Sequence, residues 1–288
     1  MSGKARPAIV EARVGAMIER LSSAPKYRDI HIDTITDVVG HELPYAVSDA
    51  DLERRTRLKL HRVMAGYLLS VRASRVLRGL DEAVASGPDA LRGWCTVALS
   101  RHASTAERLP DLDRLYPAIL GLTGPARSIA DLACALNPFT LPWLRTITSA
   151  SYTGYDLNLA YVKLGASFLA LADPGSTVRH QDILVSPERI DTDVALLLKT
   201  YHCMENRRPG AALRLVEELP AACVVVSFPT RTMSGRAATF TRAHTERLCE
   251  LAKRHGWEIR RASLAAEEIF AVVKEDHHPP RAGRAAAP

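Results

Sequence analysis

Long apolar runs are missing from this 288-residue chain. No stretch approaches the roughly 20 apolar residues that span a bilayer. The opening MSGKARPAIVEARVGAMIERL also lacks the unbroken apolar segment of a secretory signal, so the expected location is the cytoplasm. Cysteine is scarce. Cys95, Cys134, Cys203, Cys223 and Cys249 form an odd set with no Cys-x-x-Cys pair, which excludes a disulfide framework and a zinc ribbon and predicts reduced, mostly buried thiols. His277 and His278 are adjacent on a loose Pro/Ala-rich tail and make a poor metal site, so no metal is expected. There is no internal repeat. At 47% hydrophobic and 24% charged, the chain can bury a core of one large domain or two modest ones.

Acid is absent from one stretch in particular. Arg54, Arg55, Arg57, Lys59, Arg62, Arg72, Arg75 and Arg78 follow one another with no Asp or Glu between residues 54 and 80. They account for most of a formal charge of +6 that is concentrated toward the termini. Such a surface attracts polyanions, although a solvated helix face has the same composition.

The first hundred residues carry helical periodicity. Val10, Val14, Met17, Ile18 and Leu21 form one stripe, and Leu60, Val63, Met64, Tyr67, Leu68 and Val71 another. Ser48 followed by Asp51 has the spacing of a helix start. Beyond residue 110, short β-branched runs at 128–132, 151–155, 177–179, 194–198 and 223–227 alternate with helical stretches, which implies a parallel sheet. Runs at 257–261 and 269–274 resemble an antiparallel pair closing its edge. The expected organisation is a helical domain over 1–110, an α/β domain over 111–276 and a tail over 277–288.

Asp131, Asp156 and Asp182 end or follow three successive strands at intervals of 25 and 26 residues, one strand plus one helix apart. Ligands of open parallel sheets lie outside the carboxyl ends of the strands, so these acids can share one crevice. An acid after the second strand is placed to accept both ribose hydroxyls. The turn after the first strand, Leu132-Ala133-Cys134-Ala135-Leu136-Asn137-Pro138, contains no glycine, which argues against close pyrophosphate binding. S-adenosylmethionine carries no phosphate and asks less of that turn. The arrangement resembles a class I (Rossmann-like) methyltransferase with a mostly parallel sheet, preceded by an all-helical N-terminal domain, with alanines in place of the usual Asp-x-Gly-x-Gly glycines.

Four blocks, RHASTAERLPDLDRLYP (101–117), DLACALNPFTLPW (131–143), LLLKTYHCMEN (196–206) and SFPTRTMSGR (227–236), resemble the aminoglycoside-resistance 16S rRNA guanine-N7 methyltransferases of the Arm/Rmt type. The likeness extends in order to about residue 275. It implies S-adenosylmethionine as cofactor, a guanine of the assembled 30S subunit as target, and antibiotic resistance as the outcome. It also implies residue roles. Arg108 would hold the methionine carboxylate through its planar fork, Asp156 the ribose and Asp182 the adenine amino group, with Ala133, His102 and Gln181 as further cofactor contacts. Asp131 either touches the cofactor or orients the loop. Lys199, Glu205, Arg236 and Glu267 would face the target RNA, Arg72 and Arg75 would anchor the subunit, and Phe139, Trp143 or Tyr201 could stack on a displaced base.

Guanine N7 offers an in-plane lone pair and no proton, so no general base is expected. His102, His180 and His202 then read as structural. No membrane contact or obligatory protein partner is implied. Two alternatives remain open: an RNA-binding protein with a degenerate methyltransferase domain, and a small-molecule N-methyltransferase.

Overall fold

A computed structural model describes residues 5–64, 73–185, 190–230 and 240–274. Helices α1 (Ala5–Ser23), α2 (Ile32–Glu42) and α3 (Asp49–Met64) form the first unit around Met17, Leu21, Ile35, Val39, Leu52 and Leu60. The expected start of α3 is present: Asp51 N donates to Ser48 Oγ at 3.2 Å, and Val47 N reaches the Asp51 carboxylate at 3.3 Å. The second stripe continues past Met64 into residues 65–72, which lie outside the described residues, as do Arg72, Arg236 and the tail.

Next come α4 (Ala73–Val76), α5 (Leu80–Ala85), α6 (Pro88–Leu99), α7 (Ala103–Ala106) and α8 (Leu112–Thr123). Sequence periodicity assigns residues up to 110 to one helical domain. The core divides them differently, because Leu80, Cys95 and Leu99 share a buried cluster with Ile129, Val194 and Val225 of the sheet. Residues 73–123 therefore pack as part of the α/β layer.

The sheet strands are β1 (Ser128–Leu132), β2 (Ser151–Asp156), β3 (Thr177–His180), β4 (Thr192–Leu198), β5 (Ala221–Pro229), β6 (Glu258–Ser263) and β7 (Glu267–Val273). Between them lie α9 (Leu141–Leu144), α10 (Leu159–Ala172), α11 (Tyr201–Arg207), α12 (Ala211–Glu218) and α13 (Phe240–His255). Their order is β3-β2-β1-β4-β5-β7-β6, parallel except for β7, which is antiparallel to β5 and β6. The central strands alternate with period two: Val194, Leu196 and Val225 face the cluster above, while Ala195, Leu197, Val224 and Val226 face Met204, Val216 and Leu248.

Cys95, Cys134 and Cys223 are buried, and no disulfide links any two of the five cysteines. Among the described residues no helix is long and apolar enough to cross a membrane, and no group of His, Cys, Asp or Glu could hold a metal ion.

Candidate active site

Strand order reverses between β1 and β4, so the loops leaving these neighbours diverge and open a crevice at the carboxyl edge of the sheet. It encloses about 860 Å³ of empty space, its solvent mouth included, and is lined by the turns after β1, β2, β3 and β4. The β1 turn keeps a glycine-like path without glycine: Ala133 has φ 60° and Ala135 φ 44°. Left-handed backbone costs an L-residue about 1–2 kcal/mol, and the surroundings hold it there. Cys134 N donates to Tyr155 O at 2.9 Å, and Ala135 N to Asp156 Oδ2 at 2.9 Å. Gly154 makes room, since a Cβ there would stand 2.8 Å from the Cys134 sulfur. Ala135→Gly should therefore raise the melting temperature by roughly 1–4 °C, after allowance for glycine's entropy. A lower melting temperature would refute strain at this turn.

The three aspartates occupy different positions. Asp156 lies on the wall, its Oδ1 receiving Asn158 N at 2.7 Å and its Oδ2 Ala135 N at 2.9 Å. Four lone-pair sites minus two donors leave acceptor capacity for a ligand. Burial pushes its carboxyl up to about 6 against the pull of these N–H donors. Asp182 is also on the wall, holding Leu184 N at 3.0 Å on Oδ1. Its Oδ2 takes Arg207 Nη1 at 2.6 Å and the Thr34 hydroxyl at 2.5 Å. Asp131 is fully buried behind the wall, where it accepts the Tyr152 hydroxyl at 2.8 Å and orients Asn137. Of its two expected roles, loop orientation is the one this geometry provides.

Arg108 departs from expectation. It is 1% exposed and does not line the crevice. Its Nε and Nη2 form a bidentate pair with Glu267, and Nη1 donates to Asn137 Oδ1 at 2.8 Å. Glu267 is fully buried and also accepts the Ser227 hydroxyl. It is the internal partner of Arg108, so the expected contact with a target base is not available to it. The reason is topological: the antiparallel insertion of β7 beside β5 pairs Glu267 with Pro229 at the carboxyl edge, within reach of the Ser227 hydroxyl.

Lys199 lies on the wall with φ 59°, its Nζ 2.8 Å from Glu107 and 3.9 Å from Glu267. Glu205 uses both carboxylate oxygens on the N–H groups of Gly210 and Ala212 at 2.9 Å, which fixes the turn into α12. That occupation replaces the expected approach to a base. Ala133 and His102 line the crevice. Burial and the charge of Arg108 bring the His102 imidazole down to about 4, so it is neutral at pH 7. Gln181 does not line it; its backbone N–H donates to Asp156 O at 2.9 Å. Burial also lowers His180 and His202. Phe139, Trp143 and Tyr201 are core residues, so the expected stacking surface is not presented by any of them.

On the outer surface, Arg75 lines a shallow groove with Arg78, Trp94 and Arg101. The acid-free run is partly neutralised from elsewhere, with Arg54 on Asp51, Arg55 on Glu42 and Arg57 on Glu53. Sequence reasoning missed Arg207, Thr34 and Asp37. Arg207 abuts the 196–206 block and could have been included with it, whereas Thr34 and Asp37 carry no local signal.

The model for the ribosomal RNA methyltransferase (FmrO) family matches residues 23–272. The chain belongs to this family. The FmrO-family chain is 29% identical to a 16S rRNA (guanine(1405)-N(7))-methyltransferase of Micromonospora echinospora over 92% of its own length and 98% of that relative's. It is 32% identical to the enzyme of the same description from Serratia marcescens, over 74% and 80% of the two chains. The crystal structure of the 16S rRNA methyltransferase RmtF in complex with S-adenosyl-L-homocysteine superposes with TM-score 0.75 at 27% identity, covering 91% of this FmrO-family chain and 98% of RmtF.

Proposed function

We propose that this chain transfers a methyl group from S-adenosylmethionine to N7 of guanine 1405 of 16S rRNA in the assembled 30S subunit, in the cytoplasm, and so confers aminoglycoside resistance. The observation that carries the reading is Asp156: a carboxylate at the end of β2, steadied by two backbone donors and still open to accept, on the wall of a crevice at the topological switch point. The donor set fits an adenosyl sulfonium. Asp156 and Asp182 supply acceptors for ribose hydroxyls and an adenine amino group, and Leu157, Ile183, Leu184 and Met204 supply apolar wall. At the methionine end, Arg108 acts through Asn137, which it braces on the wall, rather than by direct contact.

S-adenosylmethionine, when bound, supplies an electrophilic methyl group. The residues of the chain supply orientation. Holding the reacting groups in line is worth about 7–11 kcal/mol, and the chain must also keep the target base out of its stack at a cost of a few kcal/mol. Guanine N7 has no proton to lose, so no side chain is asked to remove one. Lys199, on the crevice wall beside Glu107, and Arg236 are assigned to the target-facing side from their motifs. Arg72, Arg75 and the groove of Arg78, Trp94 and Arg101 provide the cations and aromatic edge that suit a folded RNA surface.

Labelled methyl transfer tests the proposal: incorporation is expected into 30S subunits from a susceptible strain and not into subunits already methylated at N7 of guanine 1405. Equal incorporation into both, or into neither, refutes it. In the same assay, Arg72→Glu combined with Arg75→Glu should weaken subunit binding and flatten its salt dependence by about one unit of slope for each phosphate that is no longer neutralised. Affinity for S-adenosylhomocysteine should stay within about twofold of the parent, because Arg75 does not line the crevice.

A further inference from the structure

The helical unit meets the sheet beside the Asp156 and Asp182 end of the crevice, and the seam is polar and buried. Arg207, 2% exposed, places Nη1 on Asp182 and gives Nε and Nη2 to Asp37 Oδ2 of α2 at 3.0 and 2.7 Å. Arg208 pairs with the other oxygen of Asp37. Thr34, one helical turn before Asp37 and on the same face of α2, donates its hydroxyl to Asp182. Beside this cluster the backbones join. His31 N donates to Leu157 O at 2.8 Å, Leu159 N to Asp29 O at 2.7 Å, and Ile30 bridges Asn158. Arg207, Asp182, Leu157 and Asn158 all line the crevice.

The arrangement leaves Asp182 little freedom. Two donors saturate Oδ2 and Leu184 N takes one site on Oδ1, so one acceptor position remains for a ligand. One of the three donors comes from the helical unit, and a second is itself held by that unit through Asp37. Without Asp37, Arg207 would retain only Asp182 and Asp182 would be drawn toward it. A buried charge deprived of one partner reorganises around the other.

We propose that Thr34 and Asp37 are positioning residues for the adenosine half of the donor site, so that donor binding and the seating of the helical unit on the sheet are coupled. This inference rests on the reading that Asp156 and Asp182 hold the adenosyl group. Coupling of this kind is reciprocal: what α2 contributes to ligand affinity, the ligand returns to the seating of α2.

The test is calorimetric titration of the full chain with S-adenosylhomocysteine, together with hydrogen exchange of residues 32–42 with and without that ligand. Asp37→Asn should weaken binding about tenfold or more and Thr34→Val about threefold to tenfold. Ligand should slow exchange across 32–42 in the parent, and Asp37→Asn should abolish that protection. Both variants binding within twofold of the parent, with exchange in α2 indifferent to ligand, overturns the proposal. A lower melting temperature with unchanged affinity also overturns it, because the cluster would then be structural only. Should Asp37→Asn fail to fold, the near-isosteric Thr34→Val decides by the same affinity criterion. Failure of the parent itself to bind overturns the cofactor assignment and this inference with it, and is told apart by the parent titration alone.

Discussion

Removing the Asp156 carboxylate as Asp156→Ala should weaken S-adenosylhomocysteine binding by at least about 100-fold, the loss of two hydrogen bonds to a charged acceptor at roughly 1.5 kcal/mol each. The same change leaves Ala135 N and Asn158 N without their acceptor, so the β1 turn loses its brace as well. Titration calorimetry on folded protein is the check, and binding within tenfold of the parent would remove Asp156 from the site. The parent should show a matching pH dependence. Burial raises this carboxyl to about 6, so the ionised acceptor is present above that value and is lost as pH falls through it. Affinity should therefore drop between about pH 6 and 5, by up to tenfold per unit. A flat profile from pH 7.5 to 5 would mean that the acceptor is elsewhere.

Glu267→Ala should lower the stability of the fold by about 3–5 kcal/mol, because it leaves Arg108 charged and buried with its bidentate partner gone. For a domain of this size that corresponds to a fall of roughly 6–20 °C in melting temperature. Burial alone would push the Glu267 carboxyl up; Arg108 holds it below its ordinary range, with help from Lys199 and Ser227. A depressed carboxyl contributes stability above its unfolded value and loses it only as pH falls through the folded one, so the pair is intact throughout the neutral range. Replacing both members with leucine should cost less than the single change, because no unpaired charge remains. Equal losses in the two variants would show that packing, and not charge, dominates at this position.

The contrast between Arg108 and Asp156 shows which parts of the site could be read from the chain. The position of Asp156 is legible because it follows from local order: an acid at the end of the second strand of a parallel sheet lies at the carboxyl edge in whatever way the rest of the chain packs. Arg108 and Glu267 were not, since they are 159 residues apart and meet only because β7 returns antiparallel beside β5. The strand runs were located to within about two residues at most ends, because parallel strands buried on both faces must be apolar and β-branched. The periodicity of α5 and α6 records that they have a buried face without recording what buries it, and in the fold that partner is the sheet. The acid-free stretch likewise does not disclose its partners: Arg54, Arg55 and Arg57 pair with Asp51, Glu42 and Glu53, which precede residue 54 in the chain.

The sequence by itself determined the alternation of strands and helices, the carboxyl-edge placement of Asp156 and Asp182, and the family likeness carried by four blocks. These are properties of local pattern and chain order. Tertiary structure alone decided which charged side chains line the crevice and which are buried against each other. Arg108 and Glu267 neutralise one another behind the wall, Glu205 caps a turn, and Thr34 and Asp37 of α2 reach Asp182 and Arg207 of the crevice wall. A charge is cheap to bury only beside its partner, and which partner it meets is set by residues far away in the chain.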